Sequence, residues 1–206
     1  MILSHNKKFI FVHLYKTGGT SVRRCLEKYD AAYKIHHWLK SKLTAKPVFN
    51  SPVAHKHATA STIREAIGAE VFDQYFSFCF VRNPWAWQVS LYHYVLKTQG
   101  HDQHELFKDF QGFDEYLAWR CDGNIQLQKD YLVDGQNQQI VKFIGRTESL
   151  NQDFQSVCEK LGLGLPSLPH LNQSVSTSYR SFYNPKSEAM LAEAFKPDID
   201  LLGYEF

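Results

Sequence analysis

Phe9-Ile10-Phe11-Val12-His13-Leu14-Tyr15-Lys16-Thr17-Gly18-Gly19-Thr20-Ser21 carries an apolar run into a glycine turn and on into a segment of helical pattern. The near-continuous apolar stretch from Phe9 to Leu14 predicts a strand buried on both faces, as in a parallel sheet. Gly18 and Gly19 let the chain bend and let a ligand approach the backbone closely. Backbone N–H groups released at the turn and at the helix start carry partial positive charge, so the junction suits a phosphate or sulfate. Lys16 adds a full charge, and Thr17, Thr20 and Ser21 add hydroxyl donors. In an ordinary strand-turn-helix connection, Thr20 or Ser21 would only cap the helix.

This is not the common nucleotide loop. A Walker signature separates two glycines by four residues and places Lys-Ser/Thr directly after the second. Here the glycines are adjacent and the lysine precedes them, at the strand end, where it can reach over the loop toward the distal group of a bound anion.

The chain of 206 residues fits one domain, residues 1–206, with 44% hydrophobic and 21% charged residues, as in ordinary globular proteins. No apolar run approaches the roughly 18 residues of a membrane helix. The start Met1-Ile2-Leu3-Ser4-His5-Asn6-Lys7-Lys8 lacks the order of a secretory signal, so the expectation is a cytoplasmic protein without a membrane span. A net charge of +2 gives no support to a nucleic-acid partner. Its distribution is informative: residues 1–60 hold eleven Lys/Arg against Glu27 and Asp30, a balance of +9, while the remainder carries −7. A basic field around the cradle favours a small, multiply anionic ligand. Cys25, Cys79, Cys121 and Cys158 lack CxxC spacing and read as reduced thiols. His55-Lys56-His57 has no third or fourth ligand at a matching spacing, so no metal is expected.

Phe76 to Val81 predicts a second strand, and Gln139 to Ile144 a further one. After the cradle, Val22, Cys25, Leu26 and Tyr29 fall at helical spacing. A short helix is expected from Thr59 or Ser61 to Gly68. Asn83 caps a helix with Pro84 in its first position, burying Trp85, Val89, Tyr92 and Leu96. Phe113 to Trp119 forms another helix. Thr147 caps one whose Leu150, Phe154, Val157, Cys158 and Leu161 make a single stripe, with Gly162 as its stop. Residues 166–184 read as a loop, and Asn184-Pro185 opens the last helix. Strands alternating with helices imply an α/β sandwich with a mainly parallel sheet, which binds ligands at the carboxyl ends of its strands.

Arg82 stands at the second such strand end. It offers a forked guanidinium, and Ser90 lies eight residues on, about 10 Å along the helix. The two can hold a second phosphate from different sides.

Lys16-Thr17-Gly18-Gly19-Thr20-Ser21 resembles the 5′-phosphosulfate loop of sulfotransferases that use 3′-phosphoadenosine 5′-phosphosulfate (PAPS). Val81-Arg82-Asn83-Pro84-Trp85 followed by Ser90-Leu91-Tyr92 resembles their 3′-phosphate site, with the same Arg-to-Ser interval. The likeness is to the Golgi carbohydrate sulfotransferases and their bacterial relatives, the group that includes heparan sulfate 2-O- and 6-O-sulfotransferases. It extends to Phe143-Ile144-Gly145-Arg146-Thr147-Glu148-Ser149-Leu150 and to the closing Asp200 to Phe206. Golgi members carry an N-terminal membrane anchor, whereas this chain opens almost directly on its first strand, as expected of a soluble bacterial relative.

The resemblance implies a three-layer, P-loop-nucleotide-hydrolase-like α/β sandwich. It implies PAPS as donor, 3′-phosphoadenosine 5′-phosphate as product, and a hydroxyl acceptor on a carbohydrate. Lys16 would act near the bridging oxygen, the backbone of Thr17 to Ser21 would hold the 5′-phosphate, and Arg82 and Ser90 the 3′-phosphate. Related enzymes have an essential histidine between the two anion motifs, which here is His57, with His55 assisting it or binding acceptor. Trp85 and Trp87 are available for adenine stacking, although Trp85 at helical spacing fits a core position, and the loop Leu171 to Ser176 would close over the nucleotide. Acceptor choice would lie in residues 33–56 and 98–140. A nucleotide-dependent kinase would instead need a Walker lysine and a metal-holding aspartate at a strand end, and the sequence offers neither. A binding module for adenosine bisphosphate or sulfated glycan would keep the same motifs without turnover.

Overall fold

The computed structural model describes residues 1–30, 57–164, 168 and 178–206. These fall into two compact units, Met1–Val81 with Asp130–Leu171, and Arg82–Lys129 with Asn172–Phe206.

The first unit is built on a sheet of four strands among the described residues, in the order β1 (Ile2–Ser4), β2 (Phe9–Val12), β3 (Phe76–Val81) and β4 (Phe143–Arg146). β2, β3 and β4 run parallel, with Phe11 opposite Phe78 and Phe80 opposite Gly145. Alternation along the pleat puts Phe9, Phe11, Phe78 and Phe80 on one face. They pack there with Val22 and Leu26 of α1 (Gly19–Leu26) and with Phe154, Val157 and Cys158 of α7 (Leu150–Lys160). Each such ring removed from water contributes about 1.5–3 kcal/mol. On the opposite face Ile10, Val12 and Cys79 are also fully buried, which explains the unbroken apolar run in β2.

The sheet is mainly parallel, as expected, with an antiparallel edge strand that the sequence does not announce, and two other expectations about this unit need correction. β1 pairs antiparallel with β2, Ile2 opposite Phe11, so the sheet is mixed at its edge. The third parallel strand is Phe143–Arg146 rather than Gln139 to Ile144. Gln139 instead forms an antiparallel bridge with Val133, and the Ile140 N–H donates to Leu132 O, so these residues close a local turn before the chain joins the sheet. The Lys142 N–H then donates to Ser77 O and Oγ, and β4 begins at the next residue. Finally, Thr147 does not cap α7. It lies in a 3₁₀ turn, Thr147–Ser149, and its hydroxyl donates to Val81 O at 2.9 Å. Asp153 supplies the local tie instead, accepting from the Arg146 N–H and the Ser149 hydroxyl. Gly162 does stop the helix: φ is 57°, and Gly162 and Leu163 N–H donate back to Glu159 and Cys158, the two bonds of a Schellman motif.

Among the described residues this unit has two further helices, α2 (Ala60–Ile67), capped by Thr59, and α3 (Ala69–Gln74).

The second unit is helical. α4 (Pro84–Lys97) starts at Asn83, whose Oδ1 accepts from the Trp85 and Ala86 N–H groups, with Pro84 in the first position. Trp85, Val89 and Tyr92 are buried as expected; Leu96 is half-buried. Tyr92 stands against Phe107 of α5 (His104–Asp109) and Tyr116 of α6 (Phe113–Cys121), and the Tyr116 hydroxyl donates to Gln88 Oε1 at 2.6 Å. α8 (Pro185–Ala194) opens on a capping box between Asn184 and Ser187, and α9 (Lys196–Leu202) ends on left-handed Gly203. No helix among the described residues is long and apolar enough to cross a membrane.

Candidate functional site

The first unit places the cradle at the carboxyl end of β2. β2 ends at Val12, and His13 and Leu14 continue buried into the turn. Lys16 is half-buried and adopts φ 61°, the left-handed region, which costs a non-glycine residue about 1–2 kcal/mol. Gly18 follows with φ 76° and takes the N-cap position of α1 without any side-chain cap. Neither Thr20 nor Ser21 caps the helix; both lie inside its first turn.

The groups of the cradle are therefore unequal. The Thr17 hydroxyl donates to Leu14 O at 3.1 Å and is buried, so it braces the turn from inside. The Ser21 N–H donates to Gly18 O at 3.1 Å and Ser21 is buried. Thr20 is exposed. Gly19 and Thr20, as the first residues of α1, present N–H groups that have no acceptor within the helix, and the positive end of the helix dipole lies there.

Close approach accounts for both glycines. A Cβ on Gly18 would stand 2.8 Å from Leu150 Cδ2, and one on Gly19 would stand 2.2 Å from His13 Cδ2. The ring of His13 thus lies directly on the backbone of the cradle and is stacked against Phe11.

His57 comes to the same place. Its Nδ1 is 2.9 Å from His13 O, its ring centroid 4.7 Å from that of His13, and it meets Tyr15 edge-on at 5.3 Å. A carbonyl oxygen only accepts, so Nδ1 carries the proton and, in the neutral ring, Nε2 carries the lone pair. The fold therefore joins His57 to the turn that carries Lys16, across 44 residues of sequence from His13. In the sequence His13 is only one position of the apolar run Phe9 to Leu14. Nothing in a sequence announces a contact made by its main-chain oxygen.

In the second unit Arg82 is half-buried at the start of the α4 turn, and Ser90 is half-buried on α4. The main chain of Arg82 is held at both polar groups by one side chain: its N–H donates to Gln128 Oε1 at 2.8 Å, and its C=O accepts from Gln128 Nε2 at 2.7 Å. Asn83, besides capping α4, donates from Nδ2 to Glu205 O at 2.7 Å. Gln128 escaped the sequence reading because a lone glutamine 46 residues from its partner leaves no pattern. Trp85 and Trp87 are 3% and 1% exposed, Trp85 donating from Nε1 to Glu188 O and Trp87 packed edge-on to Phe195, so both are core residues rather than stacking platforms.

His55, the loop Leu171 to Ser176 and the acceptor segment 33–56 lie outside the described residues. Among the described residues no group of three His, Cys, Asp or Glu side chains is placed to hold a metal ion. All four cysteines are free thiols; burial pushes Cys121 and Cys158 up to about 11 and Cys79 higher still.

Comparison with known proteins bears on what such an arrangement does. A family model described as "Sulfotransferase family" matches residues 1–205. A protein of Archaeoglobus fulgidus, described only as an uncharacterized protein, is 34% identical over 122 residues, covering 57% of this chain and 93% of its own. No solved structure matches the chain.

Proposed function

The chain belongs to the sulfotransferase family, and from that premise we propose that it moves a sulfuryl group from PAPS to a carbohydrate hydroxyl, with His57 as the base. The observation that carries this reading is the 2.9 Å contact of His57 Nδ1 with His13 O, which sets a tautomer-defined imidazole at the turn bearing Lys16. The residues of the turn fit a phosphosulfate. Gly18 and Gly19 leave no side chain over the backbone, and the opening N–H groups of α1 face the position an anion would take. PAPS supplies the activated sulfuryl group and a phosphate leaving group.

His57 Nε2 takes the proton from the acceptor hydroxyl as its oxygen bonds to sulfur. The sulfur-to-phosphate oxygen bond breaks on the opposite side. Lys16 neutralises the charge that grows on the departing phosphate oxygen, helped by the Gly19 and Thr20 N–H groups. By analogy with loose phosphoryl transfer, positioning and charge neutralisation do most of the work. Strain at Lys16 is consistent with a lysine whose direction is fixed by its turn. Thr17 and Ser21 contribute chiefly as braces of the loop. Arg82 and Ser90 take the 3′-phosphate and so separate this donor from ATP-like nucleotides. The three-layer, P-loop-like architecture and the single-domain organisation over residues 1–206 belong to this proposal as well.

Incubation with sulfur-labelled PAPS and a panel of glycans and small alcohols tests the reading. Label in a glycan product supports it. Label in no product, with magnesium-dependent turnover of ATP instead, overturns it.

A further inference from the structure

The side chain of Gln128 is fully buried in the second unit, and both of its polar groups serve the backbone of one residue, Arg82. A side-chain amide offers one donor and one acceptor at the spacing of a peptide group, so it meets Arg82 as a neighbouring strand would. Gln128 is in turn fixed. Its N–H donates to Asp198 Oδ2 at 2.8 Å, and the next N–H, of Lys129, donates to Asp198 Oδ1 at 2.7 Å. Asp198 lies in the first turn of α9 and is itself fully buried, its carboxylate held by these main-chain donors.

This clasp is additional to what the α4 terminus needs. Asn83 already satisfies the first N–H groups of that helix. What the clasp adds is removal of backbone freedom at Arg82, the residue whose Cα–Cβ direction aims the guanidinium. We propose that Gln128, locked by Asp198, is a positioning residue that aims Arg82 at the 3′-phosphate of the donor nucleotide and thereby sets discrimination between 3′-phosphorylated and unphosphorylated adenosine nucleotides. The inference rests on the reading of Arg82 as the 3′-phosphate ligand.

Titration calorimetry on the full chain, with adenosine 3′,5′-bisphosphate and adenosine 5′-monophosphate as probes, separates the two. Arg82→Ala is expected to lower the ratio of bisphosphate to monophosphate affinity by about tenfold or more, the scale of a charged hydrogen bond. Gln128→Met, of similar volume without the amide, is expected to lower the same ratio by about threefold to tenfold while monophosphate affinity stays at the parent level. In the Arg82→Ala background Gln128→Met is expected to change nothing further. Gln128→Glu keeps the acceptor for the Arg82 N–H but opposes the Arg82 carbonyl. It falls between parent and Gln128→Met, and it serves as the test if the methionine variant does not fold. An unchanged ratio in the Gln128 variants, or an equal loss for both probes, alongside a lowered ratio in Arg82→Ala, overturns the positioning role and leaves the Arg82 reading standing. An unchanged ratio in Arg82→Ala overturns both.

Discussion

His57 Nδ1 lies 2.9 Å from the carbonyl oxygen of His13, and the His13 ring in turn rests on the backbone of Gly19. The base candidate and the anion cradle are therefore parts of one packed assembly in the first unit. Nitrogen-detected NMR of the neutral imidazole of His57 is expected to show Nδ1 protonated and Nε2 as the lone-pair nitrogen. The opposite tautomer would break the link between this contact and proton abstraction.

Gly19→Ala tests the packing of that assembly. The new Cβ would meet His13 Cδ2 at 2.2 Å and Nε2 at 2.5 Å, and the ring is buried, so it cannot swing into solvent. A cost of about 1–3 kcal/mol in chemical denaturation is expected, together with impaired transfer. Gly18→Ala also carries strain at φ 76°, but it meets only the flexible end of Leu150. Its effect on transfer should be the smaller of the two; the reverse order would argue against the His13 wedge.

The start of α4 gives a stability prediction. Asn83→Ala removes the acceptor for the Trp85 and Ala86 N–H groups and the donor to Glu205 O. Loss of the cap costs about 1–2 kcal/mol, and for a chain of this size each kcal/mol lowers Tm by about 2–4 °C. Asn83→Asp keeps the cap and loses only the tie to Glu205, so a thermal melt should show most of the loss recovered. Equal melts for the two variants would mean the tie, not the cap, holds this turn.

Much of this was legible in the sequence where the chemistry is local. Asn83-Pro84 and Asn184-Pro185 each declared a helix start, and Gly162 a helix end, because a cap acts on residues within its own turn. The apolar runs of β2 and β3 were equally plain, since both faces are buried. Three-residue β1 is too short to display a period, and β4 starts later than the apolar pattern suggests because Gln139 and Ile140 satisfy their backbone against Val133 and Leu132 before the sheet begins. In the site, the glycines and Lys16 are legible in the loop itself, and His57 only through resemblance. The partners that fix them, His13 O for His57 and the Gln128 amide for Arg82, act across 44 and 46 residues and leave no mark in the sequence.

His93 predicts an acid sensitivity. Burial pushes its pKa below the ordinary imidazole value, and among the described residues its enclosed Nε2 has no hydrogen-bond partner, the ring packed edge-on to Tyr92 and Phe182. The folded state keeps His93 neutral, whereas the unfolded chain protonates near pH 6.5. Its stabilising contribution is thus complete above that pH and is lost as pH falls through the lowered folded value. Melting curves of His93→Phe and the parent should diverge in favour of the variant as pH drops from neutral into this window. Parallel curves would show that His93 is not the group being protonated.

Single-turnover transfer from sulfur-labelled PAPS to an accepted glycan by His57→Ala tests most directly whether this histidine is the base. With His57 as the base, the transfer rate is expected to fall about 10²–10⁴-fold with donor affinity at the parent level. Transfer at the parental rate in that variant would contradict that role.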